Sequence, residues 1–124
     1  GATFRDIGGA IQDHAEAQRC GVVRDFCGHG VGLIFHDAPN VLHYRGVDQK
    51  GRPVGLQTLE PGMFFTIEPM INLGRPDVKI LNDGWTAVTK DKSLSAQYEH
   101  SVGVTENGVE VFTRSPAGLD KPGF

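Results

Sequence analysis

Three glycine-containing turn signals divide the second half of this chain into short segments rich in β-branched and aromatic residues. The signals are Glu60-Pro61-Gly62, Asn82-Asp83-Gly84 and Glu106-Asn107-Gly108. Sequences of this kind favour tight turns between neighbouring antiparallel strands. We therefore expect strands on either side of the signals, at residues 63–68, 79–81, 85–89, 97–105 and 109–112. The second half of the chain is predicted to be mainly antiparallel β-sheet.

The first half opens with the pattern of one amphipathic helix. Thr3 and Asp6 form a potential capping box, and apolar residues recur at helical spacing from Phe4 to Ala15. We expect the helix to end at Cys20-Gly21, where a glycine can close it. The following segments are predicted to be strands at 22–26 and 41–44, a turn at 37–40, a polar loop at 45–57 and a loose tail at 115–124. The fold class is therefore predicted to be α+β.

The composition fits one domain, or one lobe of a larger domain. The 124 residues are 39% hydrophobic, which suffices for a real core. The net charge is −3 without long runs of one sign, so we expect no nucleic acid as a substrate. No apolar run approaches ~20 residues, so we expect neither a membrane span nor a membrane partner. Cys20 and Cys27 form no CxxC pair, which favours a reducing cytoplasm over a disulfide framework.

A histidine and two glutamates have the chemistry of metal ligands. His29 lies between two glycines, and Glu68 projects from the end of a predicted strand. Glu99 lies within another predicted strand, where a carboxylate needs a partner. One imidazole and two carboxylates suit metal-assisted hydrolysis. Each residue alone has an ordinary alternative, as a turn histidine bonded to a carbonyl or as a solvated or ion-paired carboxylate.

The glycines around His29 carry a separate prediction. Gly28, Gly30 and Gly32 alternate with larger residues in a segment too rich in glycine for an ordinary central strand. We expect the backbone to approach another group closely there. The spacing matches neither G-x-G-x-x-G nor a phosphate-binding loop with lysine, so nucleotide binding is set aside.

Three further residues are candidates for contact with a substrate. His36 follows His29 by seven residues, and its imidazole could stabilise a developing oxyanion or orient a carbonyl. Phe35 and Trp85 could hold an apolar substrate side chain between them, although core packing is the ordinary alternative for either. The remaining histidines are interpreted as structural rather than as metal ligands: His14, His43 and His100.

Four motifs taken together resemble the type I methionine aminopeptidases. They are CGHGVGLIFHDAPNVLHY at 27–44, PGMFFTIEPM at 61–70, DGWT at 83–86 and SAQYEHS at 95–101. The resemblance extends over nearly the whole chain except its tail. Type II enzymes carry a long insertion that the interval from His36 to Glu68 does not accommodate. Prolidase-like relatives differ around the histidines and the second glutamate.

The resemblance implies a pita-bread fold of the creatinase and aminopeptidase type, in which two pseudo-symmetric α/β lobes enclose a metal centre. It implies that residues 1–114 are the second, C-terminal lobe, followed by a tail at 115–124. Two aspartate ligands and another catalytic histidine of the family belong to the first lobe. On this interpretation they lie upstream of Gly1.

The resemblance also implies roles for the candidate residues. Two divalent metal ions, of cobalt, manganese, iron or zinc, would be held by His29 and Glu68 as terminal ligands. Glu99 would be a catalytic residue that bridges both ions. His36 would be catalytic and would contact the substrate. Phe35 and Trp85 would line the pocket for the methionine side chain.

The implied activity is removal of the initiator methionine from nascent polypeptides that have a small second residue. The ribosome is a candidate partner, and the cytoplasm is the expected location. Two carboxylates and one imidazole balance only half the charge of two divalent ions, so we expect residues 1–124 alone to have an incomplete or absent metal site and no activity. Two alternatives remain open: a non-catalytic pita-bread module that binds peptide or protein, and a prolidase-like X-Pro dipeptidase.

Overall fold

The computed structural model describes residues 1–120. Within that range it contains one α-helix and ten β-strands. Their bounds are α1 (Phe4–Ala17), β1 (Gly21–Val22), β2 (Gly28–Gly30), β3 (Asp37–Val41), β4 (Phe64–Ile67), β5 (Met70–Asn72), β6 (Val78–Ile80), β7 (Ala87–Thr89), β8 (Ser95–Gln97), β9 (His100–Thr105) and β10 (Gly108–Val111). The predicted α+β class with one leading helix is confirmed.

The described strands form three antiparallel sheets. The largest has the order β10-β9-β4-β2-β3, a smaller one has the order β1-β5-β8, and β6 and β7 form a separate hairpin. Gly84 takes a φ of +69° in the turn of that hairpin, as its turn signal predicts. The antiparallel second half of the chain is therefore confirmed.

The helix α1 begins where the sequence predicts, but it ends earlier than predicted. Thr3 is its N-cap, and the reciprocal bonds of a capping box with Asp6 are present. The predicted end at Cys20-Gly21 is wrong, because the helix stops at Ala17 and Arg19 takes the left-handed conformation with a φ of 59°. An arginine therefore fills the position that glycine usually occupies.

Two predicted elements in the first half are corrected around Pro39. The predicted turn at 37–40 is part of strand β3, and the strand predicted at 41–44 ends at Val41. Proline is tolerated because β3 lies at the edge of the five-stranded sheet, and its pairing with β2 is interrupted by a register shift beside Gly30. The strand predicted at 22–26 is likewise shorter, since β1 ends at Val22.

The core lies between α1 and the five-stranded sheet. Its buried cluster contains Phe4, Val41, Phe65 and Val102, and the rings of Phe4 and Phe65 meet edge to face with centroids 5.0 Å apart. Alternation along β4 directs Phe65 into this core. The next side chain, Thr66, consequently lies on the opposite face, and so does Glu68 just beyond the strand.

The strand predicted at 97–105 is two strands. β8 belongs to the three-stranded sheet and β9 to the five-stranded sheet, with Tyr98 and Glu99 between them. The predicted hairpin that follows is confirmed, since β9 pairs with β10. The chain therefore passes from one sheet to the other at Glu99.

The last part of the chain has little regular structure where it is described. Residues 115–120 contain turns but neither helix nor strand, and the remainder of the predicted tail, 121–124, lies outside the described residues. Within residues 1–120, no helix combines the length and the apolar character that crossing a bilayer requires.

Candidate metal centre

His29 occupies the middle of β2, a three-residue strand that runs between β3 and β4. A Cβ atom at Gly28 or Gly30 would collide with a carbonyl oxygen of the adjoining strand. The predicted close approach of the backbone is confirmed at these two positions, but at Gly32 a Cβ atom would meet nothing within 4 Å. Glycine on both sides of His29 lets the sheet close tightly around it.

The ring of His29 is held with one nitrogen toward the protein backbone. Its Nδ1 lies 2.9 Å from the carbonyl oxygen of Gly30, which requires a proton on Nδ1. Nε2 is then an acceptor, and it lies 3.4 Å from Oε1 of Glu68. Two acceptors that face each other at this distance need a shared proton or a cation between them. The His29 and Glu68 side chains are 13% and 20% exposed.

Glu68 is held by two bonds at the end of β4. Its carboxylate oxygen Oε1 accepts a hydrogen bond of 2.8 Å from the hydroxyl of Thr66. Its backbone N–H donates to Nε2 of His43 over 3.1 Å. His43 is only 1% exposed, and burial lowers its pKa, so the ring is kept in the neutral form that can accept. The sheet thus fixes both the backbone and the side chain of Glu68.

Glu99 completes a group of three ligands. One ligand atom each from His29, Glu68 and Glu99 lies within 4.8 Å of the others. The carboxylate of Glu99 is exposed and lies at the crossing between β8 and β9, so the expectation that it stands inside a strand is wrong. The three side chains fit a divalent metal ion, since an imidazole and two carboxylates are hard to intermediate donors that such ions accept.

The ring of His36 meets the rings of His29 and Phe35 edge to face beside this group. The ring centroids of His29 and His36 are 4.4 Å apart, and those of Phe35 and His36 are 4.6 Å apart. His36 is exposed, so its ring nitrogens can reach a bound molecule. The structure therefore brings the predicted catalytic histidine next to the predicted ligand histidine.

A cleft of about 650 Å³ connects the ligands to Trp85. His29, His36, Glu68 and Trp85 all line it, whereas Phe35 does not. Trp85 stands at the turn of the β6–β7 hairpin and is 86% exposed. Of the two aromatic residues predicted to share a pocket, Trp85 lines the cleft, whereas Phe35 contacts the ring of His36 and is not part of the cleft lining.

Four residues of the site carry roles that the sequence did not reveal. Cys27 and Met70 line the cleft, and burial together with the neighbouring Glu68 raises the pKa of the Cys27 thiol, which favours its neutral form. Thr66 and His43 hold Glu68. Only Thr66 could have been found from the sequence, because the alternation of side chains along a strand places it on the same face of β4 as Glu68.

The other histidines are not part of the group. Nδ1 of His100 lies 2.9 Å from the hydroxyl of Thr113, and His14 lines a separate apolar groove between α1 and β5. Buried His43 supports the Glu68 backbone, as described above. These contacts agree with the structural interpretation given to all three.

An antiparallel fold that brings one imidazole and two carboxylates together beside a cleft has the features of a metal-dependent hydrolase. Residues 1–106 match metallopeptidase family M24, and the chain belongs to that family. Membership implies the use of a divalent metal, which agrees with the group formed by His29, Glu68 and Glu99.

Similar proteins carry a more specific name. The methionine aminopeptidase of Rickettsia prowazekii is 53% identical over 125 residues, which cover 100% of this chain and 46% of that protein. Methionine aminopeptidase A of Synechocystis sp. is 58% identical over 113 residues, which cover 91% of this chain and 42% of that protein. The predicted resemblance is confirmed. The chain spans less than half the length of these curated relatives.

Solved structures give the same result for the fold. The crystal structure of the methionine aminopeptidase from Rickettsia prowazekii matches with a TM-score of 0.81 at 54% identity, covering 91% of this chain and 44% of that one. The enzyme from Thermotoga maritima matches with a TM-score of 0.82 at 39% identity, covering 93% and 44%. The predicted pita-bread fold class is confirmed.

Proposed function

We propose that residues 1–114 form the C-terminal catalytic lobe of a longer enzyme, a metal-dependent aminopeptidase that removes the initiator methionine from new proteins, and that 115–124 are its tail. The observation that carries the proposal is the convergence of ligand atoms from His29, Glu68 and Glu99 within 4.8 Å. Sequence identities of 53% and 58% to methionine aminopeptidases support the choice of reaction. The relatives are more than twice as long as the region that this chain matches, which supports a second lobe in the complete enzyme.

The cofactor in the complete enzyme is a pair of divalent ions, of cobalt, manganese, iron or zinc. His29 and Glu68 would hold these ions as terminal ligands, and Glu99 would be a ligand shared by both. Two carboxylates leave about half of the metal charge unbalanced, so further carboxylates must come from the first lobe. The facing acceptors on His29 and Glu68 support this assignment, because a bound cation satisfies both atoms across their 3.4 Å separation.

The chemistry divides between the metal and this chain. Divalent ions supply polarisation of the scissile carbonyl and activation of water at neutral pH. His36 donates a hydrogen bond to the oxygen of that carbonyl as negative charge develops on it. Its exposed ring, 4.4 Å from the ring of His29, supports this role. Cys27 stays protonated beside Glu68 and therefore acts as a small apolar group of the cleft wall.

The substrates are polypeptides that begin with methionine followed by a small residue. Trp85 contacts the methionine side chain from the hairpin turn, and Phe35 contacts it from beside His36. The large exposed fractions of these rings, 86% and 69%, support a role in binding rather than in the core. New chains emerging from the ribosome are the expected source of substrate, which makes the cytoplasm the expected place of action.

The test is methionine release from a Met-Ala peptide by the full-length enzyme supplied with manganese, iron or cobalt. Glu99→Ala is expected to lower kcat/KM at least about 100-fold, because it removes a metal ligand. Glu106→Ala is the matched control, since Glu106 is an exposed glutamate in the turn between β9 and β10. Undiminished turnover by Glu99→Ala would show that the proposed site is wrong.

Two further measurements separate the alternatives. Ala-Pro dipeptide should not be hydrolysed, whereas a prolidase-like enzyme would prefer it to Met-Ala. The 124-residue chain alone should show no metal-dependent turnover, and activity of that chain free of contaminants would contradict the requirement for a first lobe.

A further inference from the structure

Thr66 connects the two ligands that the sheet holds. It lies in β4 opposite Ser101 of β9 and is 2% exposed. Its hydroxyl accepts a hydrogen bond of 3.0 Å from the backbone N–H of His29 and donates one of 2.8 Å to Oε1 of Glu68. A hydroxyl has a single proton, and the Thr66 hydroxyl uses it for the hydrogen bond that it donates to Glu68. One buried oxygen therefore links the backbone of one candidate ligand to the side chain of the other.

This link orients the carboxylate of Glu68. The oxygen that Thr66 holds, Oε1, is also the oxygen that lies 3.4 Å from Nε2 of His29. The Cβ branch of threonine restricts its χ1 rotation, so the hydroxyl has little freedom to follow a moving carboxylate. The distance between the facing acceptors of His29 and Glu68 is thus set by the position of the Thr66 hydroxyl.

The surroundings of Thr66 leave this arrangement few alternatives. A Cβ atom built at Gly28 would collide with the carbonyl oxygen of Thr66 and come 3.2 Å from its hydroxyl oxygen. β2 therefore approaches closely enough for its N–H to use a side-chain acceptor in β4. Without that hydroxyl, the His29 N–H would lose its partner inside the sheet, which is costly for a buried donor.

We propose that Thr66 is a positioning residue of the candidate metal centre, whose hydroxyl sets the Glu68 carboxylate against His29 and thereby raises the affinity for metal. The proposal rests on the proposed function, because it takes His29 and Glu68 as ligands. Groups that hold metal ligands in place commonly change metal affinity 10- to 100-fold when they are removed.

The test compares two substitutions of Thr66, one that removes the hydroxyl and one that keeps it. Thr66→Val keeps the branched shape and removes the hydroxyl, whereas Thr66→Ser keeps the hydroxyl and removes a methyl group. Co²⁺ is titrated into the full-length enzyme, with binding followed by calorimetry and by the visible absorption of the bound ion. We expect Thr66→Val to weaken Co²⁺ binding about 10- to 100-fold and to alter the absorption bands. Thr66→Ser should stay within about 3-fold of wild type with unchanged bands.

A stability control accompanies the titration. Thr3→Val removes the N-cap hydroxyl of α1, which bonds to Asp6 and not to any candidate ligand. It should lower the melting temperature without changing the affinity for Co²⁺. If Thr66→Val does not fold, Thr66→Ala replaces it with the same expectation, and melting curves of the metal-free proteins establish which variants are folded.

The outcomes separate this proposal from the function on which it rests. If wild type binds Co²⁺ and Thr66→Val binds it equally well, Thr66 has no positioning role although the metal site stands. If Thr66→Ser and Thr66→Val lose affinity alike, the effect comes from packing and the role of the hydroxyl is overturned. If wild type shows no saturable binding of Co²⁺, the metal site itself is wrong and this proposal fails with it.

Discussion

The two sides of the candidate site are held very differently by this chain. On the ligand side, His29 and Glu68 are 13% and 20% exposed. Both are hydrogen-bonded to the hydroxyl of Thr66 in the five-stranded sheet. On the other side, Phe35 and Trp85 are 69% and 86% exposed. Trp85 reaches the cleft from a two-stranded hairpin rather than from the main sheet.

The difference shows which part of the site the described residues organise by themselves. The positions of His29 and Glu68 depend on hydrogen bonds within the sheet, and Thr66 and His43 supply these bonds. Large exposed aromatic surfaces gain energy only when something covers them. We infer that His29 and Glu68 are held in place before substrate arrives, whereas the remaining metal ligands and the aromatic side are completed by the proposed first lobe and by substrate.

The largest effect is expected where the ligand side depends on close packing of backbone. Gly28→Ala would push a methyl group into the carbonyl oxygen of Thr66, so the strands that hold His29 and Glu68 must separate. We expect a loss of about 3 kcal/mol or more in the free energy of unfolding, measured by urea denaturation.

The matched control is Gly32→Ala in the same segment. A Cβ atom at Gly32 meets nothing within 4 Å, and the residue is exposed, so the substitution should change stability by no more than about 0.5 kcal/mol. Equal effects of the two substitutions would show that β2 does not need the close approach described for it.

The contrast between these glycines also shows what sequence could and could not predict. The turn signals near Gly62, Gly84 and Gly108 act over a few residues, so the hairpins and strand β4 were predictable from local sequence. The strand at Asp37–Val41 was not, because Pro39 is a turn signal locally and is tolerated only at a sheet edge. Which strand forms the edge is decided by pairings far apart in the chain.

The same limit applies to the candidate site. His29, Glu68 and Glu99 were recognisable from their chemistry and from the motifs around them. The supports were not, since the His43–Glu68 bond joins residues 25 positions apart and the Thr66–His29 bond joins residues 37 apart. Bonds of this kind depend on strand register, which local periodicity does not specify.

The second largest effect is expected on the aromatic side of the cleft, at Trp85. Trp85→Ala in the full-length enzyme is expected to raise KM for Met-Ala about 10-fold, because an aromatic surface is lost from the cleft. The affinity for Co²⁺ should not change, since Trp85 is not in the ligand group. Trp85→Phe, which keeps an aromatic ring, should recover part of the loss. A fall in Co²⁺ affinity with Trp85→Ala would contradict the separation of the two sides.

The smallest effect concerns the base of the hairpin that carries Trp85. The carboxylate of Asp91 accepts hydrogen bonds from the backbone N–H of Arg75 at 2.7 Å and of Ser93 at 3.0 Å. These bonds, that of Arg75 first, lower the pKa of Asp91 from 3.8 to about 2. The bond from Arg75 connects the segment before β6 to the segment after β7, so the carboxylate closes the hairpin at its open end.

Because the pKa of Asp91 is lower in the folded state, its charged form stabilises the fold above pH 3.8, and the contribution is lost as the pH falls toward about 2. Asp91→Asn should therefore be less stable than wild type near pH 6. The difference between the two proteins in the midpoint of urea denaturation should narrow steadily as the pH is lowered. Thr89→Val, at the end of β7, is the control, since it removes the hydrogen bond from the Thr89 hydroxyl to the Ser93 carbonyl and no group that titrates is lost. Its effect should be the same at every pH. A gap for Asp91→Asn that also stayed constant would mean that the charge on Asp91 does not hold the hairpin, and the exposed side would then depend on neutral contacts alone.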